Sequence, residues 1–71
     1  MKQGMQATRQ PGQGEVHALF NLYNTGQLPA AELKAKSLLK QYPGALVVYN
    51  VLGVALEGQR KFEEAAETYR K

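Results

Sequence analysis

The chain has 71 residues, a net charge of +3 and a charged fraction of 21%, values typical of one small globular domain rather than of a disordered chain. It contains no Cys, no Asp and a single His, which excludes disulfides, iron–sulfur clusters and Cys-based zinc sites. No apolar run approaches the ~18 residues of a membrane span, and the start of the chain lacks the apolar segment of a secretory signal. We therefore expect a cytoplasmic protein that is not an enzyme and holds no metal or cofactor.

Residues 1–14 are rich in Gly and Gln and carry no aromatic side chain. Such a stretch cannot bury enough apolar area to offset the entropy lost on ordering, so we expect a flexible leader. Lys2 and Arg9 lie in it, which leaves seven basic and six acidic side chains in residues 15–71, a net charge of +1. That balance predicts no strong attraction for nucleic acid or for anionic lipid.

The first predicted helical hairpin covers residues 15–44. Apolar residues of its first helix have the i, i+3, i+4, i+7 spacing of one helical face; they are Val16, Leu19, Phe20 and Tyr23. Gly26 suits the left-handed conformation that follows a helix end. Pro29 suits the first position of the second helix, because its missing N–H would be unpaired there, and Pro43 ends that helix.

The second predicted hairpin covers residues 45–71. On propensity alone, residues 46–52 could form a buried strand. The apolar stretch continues to Leu56, however, which is longer than most strands, so we predict a helix. Two stripes with helical spacing lie on it: Tyr49, Leu52, Gly53 and Leu56, and then Val47, Val51 and Val54. A helix that is apolar on two faces is buried on both or has a face free for a partner.

Large and small residues of the second hairpin recur in a fixed order: Tyr49, Leu52, Gly53, Leu56, Phe62, Ala65 and Tyr69. In this order and spacing the hairpin resembles the tetratricopeptide repeat. The shift along the sequence that places Leu22 on Leu56 also places Ala31 on Ala65, and the first hairpin keeps Gly26 and Pro43 at its turns. The resemblance covers about residues 12–71. It implies an all-α fold of two antiparallel helical hairpins stacked as a short right-handed solenoid.

The chain departs from the repeat pattern at three places. The first hairpin has Ala18-Leu19 where the second has Leu52-Gly53, and Glu15 where the family has a large aromatic residue. Arg60 stands where the family has a turn Gly, so the turn after Glu57 is expected to be less regular. An unrelated four-helix bundle with similar apolar spacing is the alternative.

The resemblance also implies a non-catalytic function, because the first helix of each pair lines a concave groove that holds a peptide or a partner helix. The matching positions predict a groove formed by Val16, Phe20, Tyr23, Val47, Asn50, Val54 and Glu57. Val16 and Phe20 stand where the carboxylate clamp of some relatives begins, so we expect no such clamp. The alternative for Phe20 and Val54 is a role in the core alone.

Other functions are weaker interpretations of the same residues. His17 has no Asp, Cys or second His to work with, and Ser37 has no general base within reach in the sequence, so neither is expected to be catalytic. Lys34, Lys36 and Lys40 do not share one helical face, which argues against a weak RNA-binding helical repeat. The chain could instead be the N-terminal interaction segment of a longer enzyme, such as a repeat-containing transferase.

Self-association is a further expectation. Solenoid repeats bury one another's faces, and about three are normally needed for stability. The outer face of the helix over residues 62–71 and the stripe of Val47, Val51 and Val54 are predicted to be uncovered. A second copy of the chain is the simplest cover, so we expect a homo-oligomer.

Overall fold

The computed structural model describes residues 10–70, which form four α-helices. The helices are α1 (Gln13–Asn24), α2 (Leu28–Gln41), α3 (Leu46–Gly58) and α4 (Phe62–Arg70). No strand occurs within these residues, and the Val-rich segment 46–52 is helical. The predicted all-α class is confirmed. The flexible leader was predicted for residues 1–14, of which residues 1–9 lie outside the described part of the chain.

The first helix begins two residues before the predicted domain boundary at residue 15. The Gly12 carbonyl accepts hydrogen bonds from the N–H groups of Glu15 and Val16, each at 3.1 Å. Pro11 is buried, and the Gln10 side chain donates a 3.4 Å hydrogen bond to the Gly44 carbonyl. Residues 10–14 therefore belong to the packed structure and reach the turn between α2 and α3.

Consecutive helices pack against each other, and α1 also contacts α3. The core is built largely from small side chains, which let helix axes approach closely. Its buried Ala residues are Ala31, Ala35, Ala45, Ala55 and Ala65, and its largest enclosed side chains are Leu19, Val48 and Leu56. Because α2 lies against both α1 and α3, it sets the spacing between those two helices.

Two glycines of α3 mark its closest approaches to neighbouring helices. A Cβ placed on Gly53 would overlap the ring of Tyr69 from α4, and a Cβ on Gly58 would lie 2.6 Å from Cδ1 of Leu28 in α2. Both contacts are made by the outer ends of flexible side chains, so a larger residue at either position would require the Tyr69 ring or the Leu28 side chain to move. Gly53, one of the repeat positions of the second hairpin, therefore lies in the contact between α3 and α4.

The turns after α1 and α3 share one hydrogen-bond pattern. Gly26 donates its N–H to the Tyr23 carbonyl, and the next N–H bonds to the Leu22 carbonyl. In the second turn, Arg60 and Lys61 donate their N–H groups to the carbonyls of Glu57 and Leu56 in the same way. Gly26 has φ +80 and Arg60 has φ +65. The expectation of a less regular second turn was wrong, because Arg60 adopts the left-handed conformation that Gly26 adopts in the first turn.

The positive φ values in the two turns predict opposite effects of two substitutions on stability. Arg60→Gly should raise the free energy of unfolding by about 0.5–1 kcal/mol, because glycine has no side-chain penalty at positive φ, although it loses more entropy on folding. Gly26→Ala should lower it by about 1 kcal/mol, since a Cβ at Gly26 meets no atom within 4 Å and only the backbone penalty remains. Urea denaturation measures both. A neutral or destabilising Arg60→Gly would contradict the left-handed conformation of Arg60.

A buried carboxylate links the first hairpin to the second turn. Glu32 of α2 is only 6% exposed. Its Oε2 accepts a 2.7 Å bond from Lys36, and its Oε1 accepts bonds from Gln59 at 2.9 Å and from Lys61 at 3.1 Å. The hydrogen bond from Lys36 contributes most to a lowered Glu32 pKa of about 2; burial opposes this shift, and the bonds from Gln59 and Lys61 add to it.

The lowered pKa predicts an acid-sensitive contribution to stability. Glu32 stabilises the fold fully above its ordinary pKa of 4.5, and the contribution is lost as the pH falls toward about 2. The whole shift corresponds to ~3 kcal/mol, but Lys36 and Lys61 are nearly half exposed, so screening reduces the expected effect to ~1–2 kcal/mol.

Glu32→Gln should therefore lower the free energy of unfolding at pH 6 and remove this part of its loss between pH 4.5 and pH 2.5. Urea denaturation across that range measures the effect. Glu67→Gln is the matched control, because Glu67 forms no ion pair within residues 10–70. If both variants had the same pH profile, the Glu32 cluster would not hold the hairpins together.

Candidate binding groove

An open groove runs between α1 and α3, with a volume of about 320 Å³. Its walls are side chains that recur at intervals of three or four residues and so share one face of each helix. The lining residues are Phe20, Tyr23 and Asn24 from α1 and Val47, Asn50, Val51 and Val54 from α3. The two helices also contact each other directly.

The groove is apolar, with amide groups at two positions. Phe20 and Val47 are partly exposed, Tyr23 and Val54 are half-buried, and none of these residues carries a charge. Asn24 and Asn50 are exposed, and a side-chain amide both donates and accepts hydrogen bonds. The groove surface is thus almost wholly apolar, and the amide groups of Asn24 and Asn50 contribute little to it.

The structure brings together five of the seven residues predicted for the groove and leaves two outside its lining. Val16 is partly buried one helical turn before Phe20, and Glu57 lies beyond the α3 end of the groove. Two lining residues were absent from the prediction. Asn24 lies where the first helix is predicted to end, shortly before Gly26, and was not assigned to the groove. Val51 was predicted only as part of the apolar stripe, although it stands four residues after Val47.

The predicted uncovered stripe of α3 is only partly exposed. Val51 is buried, Val54 is half-buried and Val47 is partly exposed. The expectation that the whole stripe is uncovered was therefore wrong for Val51, which belongs to the core. The cause is α1, which packs against α3 and covers part of this face.

Glu57 interacts with Tyr69 rather than with the groove. The hydroxyl end of the Tyr69 ring lies against Gly53, although the residue as a whole is 46% exposed. Burial of this end raises the Tyr69 pKa most, and the Glu57 carboxylate and nearby Tyr23 raise it further.

The other candidate residues form no second site. His17 and Ser37 are exposed, and residues 10–70 contain no group of three acidic, His or Cys side chains that could hold a metal ion. Lys36 bonds to Glu32, which removes it from any basic patch. Within the same residues no helix has the length and apolar character required to cross a bilayer.

Comparison with known proteins gives no identification. No protein family profile, curated protein or solved structure matches the chain. The geometry of the groove and the internal repeat are therefore the features that indicate a function.

Proposed function

We propose that the chain is a tetratricopeptide-like module of two repeats, stacked as a short right-handed solenoid, whose groove binds an apolar peptide or partner helix. The observation that carries this proposal is the groove itself, in which apolar side chains of α1 and α3 line one open surface without any charge. No catalytic step is part of the proposed function.

The internal repeat supports the arrangement. The shift that places Leu22 on Leu56 also superposes the first residues of α2 and α4, Leu28 and Phe62. The turns that precede these two helices have the same hydrogen bonds at the same offset. The small residues Ala31 and Ala65 occupy matching positions and are both buried. These three correspondences are what a repeated hairpin requires.

The chemistry of the groove favours a peptide over other ligands. Its volume of about 320 Å³ is near the lower end of the ~300–1,000 Å³ of small-molecule pockets, and it is open along one side. Apolar side chains of a ligand would pack on Phe20 and Val54, while Asn50 would hydrogen-bond the ligand's backbone. RNA binding is disfavoured because stacking rings alone, without nearby cations, do not hold a phosphate backbone.

Peptide selection tests this function directly. A displayed library of random short peptides, selected against the immobilised chain, should yield sequences enriched in aromatic and aliphatic residues. Fluorescence anisotropy of the selected peptides should give weak but saturable binding. Val54→Glu should weaken it at least tenfold, because a carboxylate in the apolar groove must be desolvated when the peptide binds.

The matched control is Leu33→Glu. Leu33 lies on α2 outside the groove and is 70% exposed, so this variant introduces the same charge at another exposed apolar position. It should bind the selected peptides as the wild type does. Equal loss in both variants, or selected peptides without apolar enrichment, would exclude the groove as the binding site.

A further inference from the structure

The outer face of α4 is a partly exposed apolar stripe, in which the end of the Tyr69 ring packs on Gly53 of α3. It consists of Phe62, Ala66 and Tyr69, which have the i, i+4, i+7 spacing of one helical face. Phe62 is 59% exposed and Tyr69 46% exposed, and Ala66 is exposed as well. Two large rings flanking a small residue form a surface suited to close helix packing.

The matching face of α2 is covered by other parts of the protein. The corresponding positions of the first hairpin are Leu28, Glu32 and Ala35. Leu28 lies against Gly58 of α3, Glu32 bonds to side chains that follow α3, and Ala35 is fully buried. In the first hairpin this face is therefore covered by a further helix, whereas on α4 it is exposed at Phe62 and Ala66 and only partly covered at Tyr69.

The opposite end of the molecule does not complement this stripe. The outer face of α1 carries a shallow depression of mixed polar and apolar character, lined by Gly14, His17, Ala18, Phe20, Asn21 and Asn24. Head-to-tail stacking of copies would press the rings of α4 onto His17 and Asn21 and remove these polar groups from water without partners, which is costly.

The charges of α4 match those of a second α4 in the antiparallel direction. Glu63 lies near the start of the helix and Arg70 at its end, both beside the apolar stripe. Two α4 helices crossing antiparallel at Ala66 place each Glu63 near Arg70 of the second copy. The arrangement is self-complementary, as a two-fold interface requires.

We propose that the outer face of α4 binds the same face of a second copy, forming an antiparallel two-fold dimer centred on Ala66. The proposal is independent of the groove function. The short α4 helix offers an interface below the ~1,200 Å² of stable complexes. The dimer is therefore weak and assembles at roughly 0.1–1 mM protein, where binding free energies are only ~4–5 kcal/mol.

Charge reversal tests the pairing by sedimentation equilibrium at roughly 0.01–1 mM protein, a range set by the weak association expected. Glu63→Lys and Arg70→Glu should each weaken dimerisation about tenfold, since each creates two like-charge contacts in a symmetric interface. The double variant should restore the wild-type dissociation constant to within about threefold. Restoration is specific to an interface in which Glu63 and Arg70 meet across the two-fold axis.

Two further variants locate the contact. Ala66→Glu should abolish the dimer, because it places two carboxylates opposite each other at the centre of the interface. Leu33→Glu should leave the dimer unchanged. Circular dichroism checks that each variant is folded. A wild-type chain that is monomeric at the highest concentration of that range overturns the proposal. A double variant that dimerises as weakly as the single variants also overturns it and would indicate a head-to-tail contact. A Val54→Glu variant that dissociates the dimer overturns it as well and would place the contact in the groove.

Discussion

The small side chains on α2 are the constraint on which the rest of the molecule depends. Ala31 and Ala35 have no exposed surface, and α2 packs against both α1 and α3. Protein interiors are close-packed, so a larger residue at either position would displace one of those helices. The distance between α1 and α3 is also the width of the groove, and the core packing of α2 therefore determines the shape of the binding surface.

A polar contact from Glu32, which lies on the same face of α2 as Ala35, reinforces this arrangement. Glu32 is buried, yet it has cationic or amide partners from its own helix and from the turn after α3. A buried carboxylate without such partners would be strongly destabilising. Because Gln59 and Lys61 stand in the second turn, Glu32 fixes where α4 begins relative to α2. Packing and electrostatics thus specify the same hairpin-to-hairpin geometry.

Much of this architecture follows from periodicity. The helical faces around Phe20, Leu52 and Ala65 are clear in the sequence, and tight helix contacts require small residues at positions such as Gly53. The groove was predictable in its centre, because Phe20 and Val54 project from matching faces of two helices. Its ends were not, since the inclusion of Val16 or Asn24 depends on how α1 and α3 diverge, and spacing along one helix carries no information on that angle.

Other features depend on contacts between distant residues and left weaker signals. The ion-pair partners Glu32 and Lys36 are visible at i, i+4, but the partner Lys61 stands 29 residues from Glu32. The left-handed conformation of Arg60 was not evident either, because arginine rarely adopts it. Gly26 occupies the corresponding position of the first turn and could have indicated this conformation, because the two turns make the same hydrogen bonds.

The contact between α1 and α3 is the most direct point at which to test this account. In a sample with isotope-labelled Val methyl groups, a nuclear Overhauser spectrum should show cross-peaks from the rings of Phe20 and Tyr23 to the methyls of Val47, Val51 and Val54. These cross-peaks require the two helices to lie side by side across the groove. Valine methyls with cross-peaks only to residues of α2, α3 and α4, and none to the rings of α1, would contradict it.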